Sequence, residues 1–80
     1  MPRYFFDVLD DHAGNLRDTK GIDCVDVIAA KMEARRAIGE LAKDLFAHDG
    51  DERTVAVKVR DTEDVSVASA MLRFECTPKD

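Results

Sequence analysis

From residue 54 to residue 60 the chain alternates strictly, with Val55, Val57 and Val59 on one parity and Thr54, Ala56, Lys58 and Arg60 on the other. A period of two is that of a β-strand with one buried face, so this stretch predicts a half-buried antiparallel strand. Residues 3–9 carry the same period in aromatic and β-branched types, with Tyr4, Phe6 and Val8 on the core side and Phe5, Asp7 and Leu9 on the other. Asp10-Asp11-His12-Ala13-Gly14-Asn15 is a turn, residues 16–18 form a short return strand, and Gly21 ends it. A further turn at 61–64 leads to a last strand over 65–76. Its inward set is Ala68, Ala70, Leu72 and Phe74, and its outward set is Val67, Ser69, Met71 and Arg73.

Between the two strand pairs the period changes. Asp26 is a good N-cap for a long segment interrupted by no proline and by Gly39 alone, and the helix runs over 27–47. Wound at helical spacing, Val27, Ala30, Ala34, Ala37, Ile38, Leu41 and Leu45 form one stripe, and the alanines in its first half permit close approach to a sheet. Ile28, Met32 and Phe46 fall outside that stripe as a second, weaker apolar feature. His48-Asp49-Gly50 closes the helix, with Gly50 suited to the left-handed cap.

These elements predict an α+β fold of ββαββ order, an antiparallel sheet of two hairpins with one long helix packed on one face. Periodicity assigns faces but leaves the order of the strands open. One helix covers one side, so the other face exposes Phe5, Leu9, Val67 and Met71 beside Lys58 and Arg73, an apolar patch of the kind monomers seldom leave uncovered. That patch is the first candidate interaction surface, and Ile28, Met32 and Phe46 are the second.

The length narrows the picture further. Eighty residues make a single domain, 1–80, and a chain of this size buries only about 60–65% of its unfolded surface. The thin core points to a partner chain, either a second copy in a homodimer or another protein. A composition 45% hydrophobic and 36% charged is that of a folded chain, and a net charge of −5 argues against general binding to a phosphate backbone. The opening residues lack the apolar stretch of a secretory signal, and no run is long enough to span a bilayer, so a cytoplasmic protein is expected. Cys24 and Cys76 are far apart and read as free thiols, the alternative being one bridge from the segment before the helix to the last strand.

No chemical motif emerges. Asp7, Asp10, Asp11 and Asp18 gather with His12 around the first hairpin, but their spacing matches no calcium loop and turns select the same residues. His12 and His48 stand at no motif spacing from a nucleophile, and there is no glycine-rich phosphate loop. No catalytic residue, metal or cofactor is therefore expected. Phe5, Lys58, Met71 and Arg73 on an open sheet invite comparison with single-stranded nucleic-acid binding, against which stand the acidic charge and the single aromatic. The alternating charges on the helix, Lys31, Arg35, Arg36 and Lys43 among Glu33, Glu40 and Asp44, read as a solvated surface.

The run Pro2-Arg3-Tyr4-Phe5-Phe6-Asp7-Val8, followed by Asp18, Gly21, Asp26, Ala30, Glu33-Ala34, Val55-Ala56-Val57 and Val59-Arg60-Asp61, resembles a family of small uncharacterised bacterial proteins, a domain of unknown function. The resemblance covers nearly the whole chain. It departs from the family at Asp64, where a glycine is usual, and at Ile28, where a polar residue is usual. The resemblance implies the fold and a full-length domain and carries no mechanism. The expectation is thus a non-catalytic interaction or self-associating module. The alternatives are an antitoxin-like regulatory domain, by fold analogy with HicB-type antitoxins, and a weak single-stranded nucleic-acid binder.

Overall fold

The computed structural model describes residues 1–11, 14–46 and 52–75, with residues 44–46 described in their backbone alone. Its elements are β1 (Arg3–Asp10), β2 (Gly14–Leu16), β3 (Ile22–Asp23), α1 (Val27–Phe46), β4 (Glu52–Arg60) and β5 (Ser66–Glu75). The strands make one antiparallel sheet in the order β2-β1-β4-β5, with β3 also paired to β1. The α+β class, the two hairpins and the single helix agree with the expected fold. The two-residue strand β3 is an addition, because so short a segment carries no period to read.

The alternation of β1 and β4 becomes pairing. Phe6 lies opposite Val59 and Val8 opposite Val57, while Val57 and Val59 lie opposite Ala70 and Ala68 on the far side. Facing residues share a face, so these side chains form one apolar floor beneath α1. Tyr4, Cys24, Ala30, Ala34, Val57 and Val59 make the buried cluster, joined at its margin by Phe6, Val8, Ala37, Ile38 and Leu41. Ala30 and Ala34, at 0% and 1% exposure, are where the helix backbone comes down on the sheet.

Local capping follows the residues. The Ala29 amide donates to Asp26 Oδ1 at 2.8 Å, starting α1 at Val27. Asp64 takes the left-handed conformation, φ 66°, in the turn between β4 and β5, a conformation that Asp tolerates better than most residues other than glycine. The helix end at Ala47, the cap at Gly50, His12 and Cys76 lie outside the described residues.

Two strands depart from their expected patterns. The return strand is Gly14–Leu16 and not 16–18: pairing begins at Gly14, which takes a positive φ of 90°, so Gly14 and Asn15 pair with Asp10 and Leu9, while Arg17 and Asp18 lie beyond the strand. The β4/β5 ladder slips between Val59 and Arg60: Val59 pairs with Ala68 but Arg60 pairs with Ser66, leaving Val67 as the extra residue of a β-bulge. Val67 accordingly packs against the helix-side core, whereas simple alternation assigns it to the open face.

Candidate interaction surface

The open face has two distinct halves. At one end, the segment between β2 and β3 leaves the edge of β1 and curls over the sheet, and Asp18 fastens it. One oxygen of the Asp18 carboxylate accepts from the Phe6 amide at 3.0 Å, where the strand partner of β1 is interrupted, and the other accepts from the Lys20 and Gly21 amides at 3.0 and 3.1 Å. Asp7 accepts from the Asp18 amide at 2.9 Å and from Arg60 Nε at 2.9 Å, and Arg60 Nη2 donates to the Asp18 carbonyl at 2.6 Å. The Arg60 guanidinium also lies over the Phe5 ring, 4.6 Å from its centroid.

This network sets the electrostatics of that end. Burial pushes the Asp7 carboxyl up, but the Arg60 hydrogen bond, the Asp18 amide and the charges of Arg60 and Arg17 outweigh it and hold it below the usual carboxylate range. For Asp18, burial again pushes up, and the amides of Phe6, Gly21 and Lys20 with the charge of Arg60 hold the group low. Asp7 and Asp18, acids of the kind that turns select, are thus structural acceptors. Phe5 is half-buried beneath it and is no open platform.

At the other end, Leu9, Ala56 and Met71 lie side by side through the pairings Leu9 to Ala56 and Ala56 to Met71. With Asp10, Asp11, Asn15 and Thr54 they line a hollow of about 300 Å³. Met71 is 72% exposed and dominates the patch.

Met71 also belongs to a second feature, the free margin of the sheet. β5 pairs with β4 on one side, and among the described residues no strand pairs with it on the other. Between this margin and α1 runs a groove of about 370 Å³, lined by Lys31, Ala34, Arg35 and Ile38 of the helix and by Ala68, Ser69, Ala70 and Met71 of the strand.

The family model for a domain of unknown function, DUF6894, matches residues 3–73. The chain belongs to the DUF6894 family. Compared with curated proteins and with solved structures it has no significant match.

In this DUF6894 domain the expected surface residues are dispersed. Phe5 is roofed by Arg60, and Val67 is turned to the core by the bulge, so Leu9 and Met71 are what remains of the apolar patch. Lys58 is exposed opposite Asp7, and Arg73 sits 3.6 Å from both Glu52 and Glu75. Ile28 and Met32 are exposed at 69% and 63%, on the helix flank next to Lys31 and Arg35. The side chain of Phe46 lies outside the described residues.

The hairpin acids find protein partners. Asp10 takes a two-pronged bond from Arg53, at 3.1 Å from Nε and 2.6 Å from Nη2, and Asp11 accepts from the Thr54 amide at 3.1 Å. Among the described residues no group of three or more His, Cys, Asp or Glu is placed to hold a metal ion. No described helix is long and apolar enough to cross a membrane. Cys24 is buried and free, and burial, reinforced by the nearby charges of Glu33, Asp23 and Asp26, pushes its thiol above the ordinary range. What sequence reading missed was the edge itself, because edge status depends on strand order.

Proposed function

We propose that this domain is a protein-interaction module without catalytic activity, and that it binds by accepting an extended segment of another polypeptide as an added strand along β5. The observation that carries the reading is the free margin of β5. Ser66–Glu75 is ten residues long and contains no proline, and its stretch Ala68-Ser69-Ala70-Met71-Leu72 carries no charge. An edge strand offers a row of backbone donors and acceptors, and natural sheets usually blunt such edges with lysine, proline or shortness. Within β5 the blunting devices sit at its two ends, the bulge at Val67 and the charges of Arg73 and Glu75, and they leave the stretch between them regular and uncharged.

Strand addition also uses the neighbouring features. Backbone bonds supply affinity, and alternate side chains of the incoming segment meet the groove beside α1 on one face and Met71 on the other. The two tightly bonded carboxylates on the open face, Asp7 and Asp18, are committed to holding the fold, which supports binding over catalysis.

The reading is tested by selecting displayed random peptides on the immobilised domain and mapping the winners by amide chemical shifts. The expected result is enrichment of peptides that shift the amides of Ser66–Glu75 and lose binding in Ser69→Pro, a variant checked for folding by its remaining amide spectrum. Enriched peptides that leave β5 unshifted would contradict it.

A further inference from the structure

Lys31 and Arg35 stand beside the β5 margin and line the groove there. Both are exposed, and among the described residues neither meets a carboxylate, whereas Arg36 bonds Glu33 at 2.9 Å and Arg73 lies between Glu52 and Glu75. In a chain with a net charge of −5, two unanswered cations flanking the uncharged stretch Ala68–Leu72 of the free strand define a local field opposite to that of the whole molecule. Exposed charges act over about 8 Å at physiological salt, so the local pair governs what enters the groove.

Resting on the strand-addition reading above, we infer that the segment bound along β5 is acidic on the side facing α1. It carries two carboxylates at alternate positions, preceded by an apolar residue. The spacing follows from the two elements. Residues one helical turn apart, such as Lys31 and Arg35, have Cβ atoms about 5–6 Å apart. Alternate residues of an extended strand, which point to one face, are separated by about 6.6 Å. Two carboxylates at positions i and i+2 therefore match the two cations. In antiparallel addition, the residue opposite Leu72 comes first and lies toward Ile38, the next alternate position faces Ala70 and the one after faces Ala68. The intervening residues share the open face with Met71 and Ser69.

The same geometry disfavours a second copy of this chain as the occupant. The helix-side residues of β5 are Val67, Ala68, Ala70, Leu72 and Phe74, none of them acidic, while Glu75 shares the opposite face with Arg73. A β5-to-β5 pair leaves Lys31 and Arg35 unanswered. An acidic segment from another protein answers both.

The test uses a labelled, end-capped peptide, Thr-Val-Val-Glu-Val-Glu-Thr, and its counterparts with Gln or Lys in place of both Glu. Binding is followed by fluorescence anisotropy and by the amide shifts of β5. The Glu peptide is expected to bind about tenfold more tightly than the Gln peptide, weaken with added salt, and yield to the Lys peptide in the Lys31→Glu/Arg35→Glu variant. Glu and Gln peptides that shift β5 equally would overturn the acidic preference and leave strand addition standing. Peptides that bind without shifting β5, or that fail to bind at all, would overturn both. A Glu preference that survives the double charge reversal would overturn the assignment to Lys31 and Arg35.

Discussion

The guanidinium of Arg60 covers the ring of Phe5 at 4.6 Å while donating to Asp7 at 2.9 Å and to the Asp18 carbonyl at 2.6 Å. One side chain thereby fastens β1, β4 and the curled segment before β3, and it hides the aromatic that alternation alone exposes. Arg60→Gln leaves the largely buried Asp7 carboxylate without its cation and is expected to cost about 2–3 kcal/mol. In a domain of this length that lowers the melting temperature by about 10–20 °C. Arg60→Lys keeps the charge but loses the fork and the flat contact with Phe5, so it falls between the two. A thermal melt of Arg60→Lys equal to that of the parent would contradict the role given to the fork.

The carboxyls of Asp7 and Asp18 both titrate below the ordinary range, because hydrogen bonds and Arg60 outweigh burial. The folded state therefore binds these protons more weakly than the unfolded chain does. Their contribution to stability is fully present above the unfolded value of about 3.9 and is lost as pH falls through the lower folded values. Urea unfolding across the acid range is expected to show this loss, and Asp7→Asn/Asp18→Asn should be less stable near neutrality with a flatter acid limb. An acid limb as steep in the double variant as in the parent would place the responsible groups elsewhere.

Two glycines with positive φ separate backbone strain from steric crowding. At Gly21, φ 73°, an added Cβ would stand 2.8 Å from Arg3 Cγ and 2.9 Å from the Tyr4 carbonyl oxygen. At Gly14, φ 90°, it would meet nothing within 4 Å. Gly14→Ala carries the conformational cost alone, about 1 kcal/mol, whereas Gly21→Ala adds displacement of β1 and should cost about 2–3 kcal/mol. Chemical unfolding of the pair measures the difference, and equal losses would remove the close packing of the curled segment on β1.

Ala34 is 1% exposed at the crossing of α1 over the sheet. Ala34→Leu forces the helix away from Val57 and Val59 and is expected to destabilise by about 1–3 kcal/mol, while Arg35→Leu, one position round on the exposed flank, should be nearly neutral. Calorimetry on both decides whether close approach, rather than helix propensity, selects the alanines, since leucine is nearly as good a helix former as alanine.

Much of this fold was legible because its faces repeat. The valines of β4 and the alanine stripe of α1 each obey one period over many residues, and both lie where expected. Val67 was misplaced because a bulge adds one residue and inverts the parity before it, which no alternation rule contains. Asp18 reads in sequence as the last residue of the short return strand and one of the acids around the first hairpin. Its role as acceptor for three amides arises only once β1 lacks a strand partner at Phe6. Met71 was recognised as exposed from its parity, but the significance of Lys31 and Arg35 required knowing that β5 is the margin. Strand order is a tertiary property, and on α1 alone the two cations are indistinguishable from a solvated face.

The free margin of β5 is the claim on which the proposed function stands, and residue-resolved hydrogen exchange tests it most directly. In the free domain at low concentration, every second amide from Ala68 to Glu75 should exchange rapidly, those directed away from β4, while the amides of the central strand β4 remain protected. Addition of the Glu peptide should bring the rapid set under protection. Uniform slow exchange along β5 in the free domain would show that the margin is already covered, and would contradict the account.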